Sequence, residues 1–148
     1  VVVSGDVAAI ERASPLFSDA GAKRVVPLDV SGAFHSPLME PAVAGLREEL
    51  ERGSFADPRF PVVSNVRAEP IEDADTARAL LVEQLTAPVR WAEGVARLTE
   101  LGVSQFVELG PGSVLRGLNR RNAPREAISV SAGEPEDIEG VLQKLTPQ

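Results

Sequence analysis

The chain has 148 residues, of which 43% are hydrophobic, and its formal net charge is −7 at pH 7. This content suffices for one domain with a core, and the absence of cysteine excludes disulfides, thiolate metal sites and a cysteine nucleophile. The acidic charge argues against general nucleic-acid binding, because such proteins usually carry a basic surface. No apolar run reaches the roughly 18 residues of a membrane helix, so we expect a soluble, cytoplasmic protein.

The first part of the chain predicts two strands around one helix. The apolar run VVVSGD at residues 1–6 predicts a buried strand that ends in a turn with helix-capping residues. A helix is expected at about 6–20, with Pro15 as a kink or restart. The segment KRVVPLDV at residues 23–30 predicts a second strand, in which Pro27 suggests an edge position or a bulge. The only methionine is Met39, so we expect a piece of a longer protein.

The rest of the chain alternates helices with short strands. Ser36 and Pro37 predict the start of a helix that runs to about residue 52. Further helices are predicted in DADTARALLVEQL, PVRWAEGVARLTEL, PGSVLRGLNRR and EPEDIEGVLQKL, and strands in FPVVSNV, SQFVELG and AISV. This alternation predicts an α/β fold, a mostly parallel sheet flanked by helices.

His35 is the only histidine in the chain, and it directly precedes the helix start at Ser36. Functional groups of α/β folds gather beyond the carboxyl ends of the strands, and loops on rigid scaffolds often carry function. A structural histidine is the alternative. Position alone does not separate the two interpretations.

The stretch VSGAFHSPLMEPAVAGL, which contains His35, resembles the histidine motif of malonyl-CoA:acyl carrier protein transacylases. The stretches PVVSNV, LLVEQLTAPVRW and GVSQFVELGPGSVLRGL resemble the remaining landmarks of that family, in the same order and at similar distances. The resemblance covers nearly the whole chain. It implies part of a ferredoxin-like small subdomain at residues 1–31 and the C-terminal part of the acyltransferase α/β subdomain at residues 32–148.

In that family a serine in a G-H-S-x-G elbow attacks the thioester, and a histidine takes the serine proton and later activates the incoming thiol. The resemblance places His35 on this histidine, and Gln84 on the glutamine whose backbone carbonyl orients it. The chemistry needs a base, because a hydroxyl is a poor nucleophile until its proton is removed. No G-x-S-x-G occurs in the chain, nor the family's arginine for the malonyl carboxylate. We interpret Ser36 as a helix cap, not as a substitute nucleophile.

Phe34 and Asn65 are the candidate substrate-binding residues. In related polyketide acyltransferases an A-F-H sequence accompanies malonyl rather than methylmalonyl selection, so Phe34 resembles a residue that narrows the acyl pocket; a core aromatic is the alternative. Asn65 follows a predicted strand and either lines the pocket or caps a turn. The glycine-rich ELGPGSVL lacks the lysine and spacing of a P-loop and predicts a strand-to-helix turn.

One basic cluster occurs in this acidic chain, formed by Arg116, Arg120, Arg121 and Arg125. Acyl carrier protein is acidic and coenzyme A carries phosphates, so the cluster is either a docking surface or a solvated helix end favoured by the helix dipole.

The sequence thus predicts part of a malonyl-CoA:acyl carrier protein transacylase, an acyltransferase of fatty acid synthesis that works through a serine ester. Its expected partners are malonyl-CoA as substrate, acyl carrier protein and the missing N-terminal half of the same enzyme, with no cofactor, metal, nucleic acid or membrane. The piece alone is expected to lack activity. The alternatives are a non-catalytic α/β remnant or partner-binding fragment, and a self-sufficient hydrolase whose nucleophile the sequence does not show.

Overall fold

The computed structural model describes residues 1–145, which form two compact units. Unit 1 consists of Val1–Val66 and Pro70–Val89, and unit 2 of Arg67–Glu69 and the described residues from Arg90 onward. The subdomain boundary predicted after residue 31 stays a prediction.

Unit 1 contains three helices and a short antiparallel strand pair. Helix α1 spans Val7–Asp19, a 3₁₀ turn at Pro37–Met39 leads into α2 at Glu40–Arg52, and α3 spans Ala74–Glu83. Strands β1 (Val62–Val63) and β2 (Pro70–Ile71) pair antiparallel. Side-chain caps begin two of the helices, because the carboxylates of Asp6 and Asp73 accept hydrogen bonds from first-turn amides. The predicted helices are therefore confirmed, and α1 continues through Pro15.

Unit 2 is a βαβ arrangement between two further helices. Its elements are α4 (Trp91–Glu100), β3 (Gln105–Leu109), α5 (Val114–Asn122), β4 (Ile128–Ala132) and α6 (Asp137–Leu145). Strands β3 and β4 pair parallel in a register of five residue pairs, from Gln105 with Ile128 to Leu109 with Ala132. Its buried apolar residues among those described are Ala68, Val95, Phe106, Ala132 and Val141. The predicted α/β class with a parallel sheet is confirmed.

The two strands predicted in the first 30 residues are wrong. Residues 1–6 and 24–30 have no regular structure, and Val2, Leu28 and Val30 remain 60–74% exposed. The Val30 amide donates to the carbonyl of Leu28 at 3.1 Å, which is a local turn. A strand needs a neighbour for its backbone groups, and none of the residues 1–145 pairs with these segments.

The turn between β3 and α5 is closed by a carboxylate from the strand. Gly110 and Gly112 have φ values of 117° and 95°, which glycine adopts without strain. Glu108 accepts hydrogen bonds from the amides of Arg116 at 2.9 Å and Leu115 at 3.0 Å. The hydrogen bond from the Arg116 amide has the largest effect on the pKa of the Glu108 carboxyl. Together with the bond from Leu115, it holds this pKa below its ordinary value. The predicted strand-to-helix turn is confirmed. The amides that would bind a phosphate in a P-loop are here hydrogen-bonded to Glu108.

Candidate functional site

His35 lies in a turn of unit 1, directly before the 3₁₀ turn that starts at Pro37. Its side chain is exposed. Its φ is 59°, in the left-handed region that residues other than glycine rarely adopt. The strand expected before His35 is absent, because no segment within residues 1–145 pairs with residues 24–30. The helix start expected after His35 is present.

The ring of His35 is held by one backbone carbonyl. Its Nδ1 lies 2.8 Å from the carbonyl oxygen of Gln84, the residue that caps the C-terminus of α3. The last carbonyls of a helix lack partners within the helix, so this oxygen is available to the ring. A carbonyl only accepts hydrogen bonds, and Nδ1 is therefore the protonated nitrogen. The predicted contact is confirmed, and it leaves Nε2 as the free proton acceptor.

Asn65 meets the side chain of the same glutamine. Its Nδ2 lies 3.5 Å from Gln84 Oε1, at the outer limit of a hydrogen bond. The turn after β1 is instead capped by Ser64, whose hydroxyl accepts from the Val66 amide at 3.1 Å. The turn-capping alternative thus applies to Ser64, and a pocket role for Asn65 stays a prediction.

Phe34 rests on its own loop. A Cβ placed on Gly32 would lie 3.6 Å from the Phe34 ring and 3.7 Å from the sulfur of Met39. The side chain is 42% exposed, so it is not a buried core aromatic. Phe34 is therefore accessible to solvent, and its pocket-lining role stays a prediction.

Ser36 is a structural serine. Its hydroxyl donates to the carbonyl of Ala33 at 2.6 Å and accepts from the amide of Leu38 at 3.3 Å. The residue is only 7% exposed. Its proton is directed at Ala33 and not at the histidine, so the interpretation as a helix cap is confirmed.

Unit 2 carries the basic cluster, beside a groove of about 680 Å³. Within residues 1–145, Arg120, Arg121 and Arg125 have no ion pair, and the same is true of Arg12, Arg24, Arg47 and Arg59. Two polar atoms at the groove, Asn119 Oδ1 and Ser129 Oγ, also lack hydrogen-bond partners. The groove is lined by Asn119, Arg120, Ala123, Pro124, Arg125, Ala127 and Ser129.

No protein-family model matches the chain, but individual relatives do. The malonyl CoA-acyl carrier protein transacylase of Bacillus subtilis is 41% identical over 98% of this chain, and that of Escherichia coli K12 is 40% identical over 97%. The structure of a transacylase from Xanthomonas oryzae is 37% identical in sequence and matches with a TM-score of 0.87. The match covers 95% of this chain and 44% of that protein. The chain is a relative of malonyl CoA-acyl carrier protein transacylases, over their C-terminal part.

A malonyl-transacylase solved in complex with a type II PKS acyl-carrier protein is also similar, with 41% sequence identity and a TM-score of 0.86. The match covers 95% of this chain and 45% of that chain. The chain spans about 45% of the length of the curated transacylases that it matches. The resemblance stated from four sequence landmarks is therefore confirmed.

The catalytic roles of His35 and Gln84 stay predictions, and the sequence did not indicate that Glu108 binds the amides of Leu115 and Arg116. The signal for Glu108 was an acid at the end of a strand that leads through two glycines into a helix. Within residues 1–145, no group of His, Asp or Glu side chains is arranged to hold a metal ion, and none of the helices has the length and apolar character of a membrane span.

Proposed function

We propose that the chain is the C-terminal part of an acyltransferase that moves malonyl from coenzyme A to the thiol of acyl carrier protein. The observation that carries this proposal is the 2.8 Å contact between His35 Nδ1 and the Gln84 carbonyl. It lies in a chain that is similar to the transacylases over nearly its whole length.

In the proposed reaction Nε2 of His35 acts first as a base. It takes the proton of a serine hydroxyl while the serine oxygen attacks the thioester carbon of malonyl-CoA. The carbon–sulfur bond breaks, the serine ester forms, and the departing thiolate of coenzyme A takes the proton back from the ring. The Gln84 carbonyl keeps the ring in the tautomer that this transfer needs.

The second half of the reaction repeats these steps in reverse. The thiol of the carrier protein gives its proton to Nε2 and attacks the serine ester, and the serine oxygen leaves with that proton. No cofactor takes part in this proposed reaction. This reaction also needs the serine and a group that binds the malonyl carboxylate. We place both in the part of the enzyme that the relatives have and this chain lacks, so that part is a required partner. We place this enzyme in the cytoplasm.

A transfer assay tests the proposal. It follows labelled malonyl from coenzyme A to carrier protein, with the 148-residue chain and with the complete enzyme that contains it. The second candidate, a non-catalytic remnant or partner-binding fragment, is supported by the absence of G-x-S-x-G from the sequence.

We further propose that the basic cluster docks the carrier protein. Its support is the concentration of four arginines within residues 116–125 of a chain of charge −7, together with the transacylase solved with its acyl-carrier protein. Complementary charge raises the rate of encounter between proteins and is screened by salt.

Reversing two charges of this cluster should weaken use of the carrier protein. In the complete enzyme, Arg120→Glu with Arg121→Glu is expected to raise KM for acyl carrier protein about tenfold at low ionic strength, with KM for malonyl-CoA unchanged. The matched control is Arg24→Glu with Arg47→Glu, two exposed arginines of unit 1. Equal KM values for carrier protein in both double variants at low salt would contradict the docking surface.

A further inference from the structure

The backbone at His35 has a conformation that is unfavourable for a residue other than glycine. With φ at 59°, the Cβ of an L-residue crowds the following carbonyl oxygen. Such a residue persists only where its surroundings fix it. The imidazole itself is exposed, so packing of the ring does not supply this restraint.

The hydroxyl of Ser36 bridges the loop on both sides of the histidine. It donates to the carbonyl of Ala33, two residues before His35, and accepts from the amide of Leu38, three residues after it. Ser36 is one of three polar residues below 9% exposure within residues 1–145, so water does not readily replace these bonds. The two bonds close the turn around the left-handed residue.

The orientation of the ring depends on this closure. Among residues 1–145, its one hydrogen bond joins Nδ1 to the carbonyl of Gln84, 49 residues later in the chain, at 2.8 Å. A change of His35 to an ordinary negative φ would redirect its Cα–Cβ bond, and the ring would leave that carbonyl. The tautomer that keeps Nε2 free depends on the same bond.

We propose that Ser36 is a positioning residue for His35. Its hydroxyl holds the backbone of His35 left-handed, so that Nδ1 stays on the Gln84 carbonyl and Nε2 stays free to accept a proton. Ser36 acts through the backbone and does not take part in proton transfer. The catalytic consequence rests on the proposed function, whereas the effect on the ring is a property of this chain alone.

The single histidine makes the effect on the ring directly measurable. Nitrogen-15 NMR of the 148-residue chain, at a pH where the ring is neutral, reports which nitrogen of His35 carries the proton. The variants are Ser36→Ala and Ser36→Cys; cysteine is close to serine in shape and replaces the hydroxyl by a weakly hydrogen-bonding thiol. Ser36→Thr retains the hydroxyl. The control is Ser14→Ala, which removes a hydroxyl that donates to the Ile10 carbonyl inside α1.

We expect the Nδ1-protonated form to predominate in the wild type, in Ser36→Thr and in Ser14→Ala. Its ratio to the Nε2-protonated form should fall several-fold in Ser36→Ala and Ser36→Cys. In the complete enzyme the same two variants should lower kcat about 10-fold to 100-fold with little change in KM for malonyl-CoA, the effect of a misplaced base.

A folded Ser36→Cys chain with the wild-type tautomer ratio would overturn the proposal, as would a wild-type ring without preference for Nδ1. If the ratio falls as expected but the complete enzyme transfers no malonyl, the proposed function fails and the positioning by Ser36 stands.

Discussion

Replacing His35 with alanine in the complete enzyme is expected to lower kcat/KM for malonyl transfer by about 10²–10⁴-fold, the usual contribution of a positioned acid or base. The structure gives the reason. Nδ1 is hydrogen-bonded to the Gln84 carbonyl at 2.8 Å, and in the proposed reaction Nε2 takes the serine proton and returns it to the departing thiolate. The measurement is the initial rate of label transfer to carrier protein, with thermal melting recorded in parallel.

Gln84→Ala is the matched comparison for this prediction. The contact with His35 uses the backbone carbonyl of residue 84, which alanine also has, so this variant should lose far less activity than His35→Ala. Its side-chain bond to Asn65 is lost, but at 3.5 Å that bond is weak. Equal losses in the two variants would mean that the glutamine side chain acts in catalysis, and full activity of His35→Ala would remove the catalytic role of the histidine.

Phe34→Ser in the complete enzyme should relax the preference for malonyl over methylmalonyl thioesters. Phe34 precedes the proposed base His35 and is 42% exposed, with its ring beside Gly32. In the proposed pocket this ring would occupy the space of a methyl branch. One methyl group in a pocket is worth about 1–3 kcal/mol, or roughly 10 to 200-fold in the specificity ratio. A competition between the two thioesters, run with wild type and variant, gives this ratio directly.

A packing role makes a different prediction for the same variant. Truncation of a fully buried phenylalanine lowers the free energy of unfolding by about 3–5 kcal/mol. Because Phe34 is half-exposed, its truncation should lower this free energy by less. Phe60→Ser is the control, because Phe60 lies in the same unit and is 69% exposed. An unchanged specificity ratio in a folded Phe34→Ser enzyme would leave Phe34 a packing residue and assign selectivity to residues outside this chain.

Local signals in the sequence were enough to predict the helices. Asp73 and Ser36 were recognisable as caps because a short polar side chain before an apolar periodic run satisfies free amides of the first turn, and both accept those bonds in the structure. Hydrogen bonds from Thr76 also hold the pKa of Asp73 below its ordinary value. These contacts span only a few residues, so they can be derived from spacing.

Contacts between distant segments could not be derived in this way. The apolar residues at 1–3 and 24–30 have strand-like composition, but a strand exists only if another segment offers a ladder of hydrogen bonds. The contact between His35 and Gln84 spans 49 residues, and the resemblance to a family predicted it where spacing did not. The sequence did not indicate that Glu108 binds the first amides of α5, because those hydrogen bonds depend on the path of the turn that follows Glu108.

The most direct measurement of the central claim is malonyl transfer by the 148-residue chain alone and by the complete enzyme. The claim is that this chain supplies the base of the reaction, and that the nucleophile lies outside it. We therefore expect no transfer by the purified chain, and transfer by the complete enzyme that His35→Ala greatly reduces, because a base without a nucleophile forms no ester. Turnover by the chain alone that His35→Ala abolishes would contradict this account and place the nucleophile within these 148 residues.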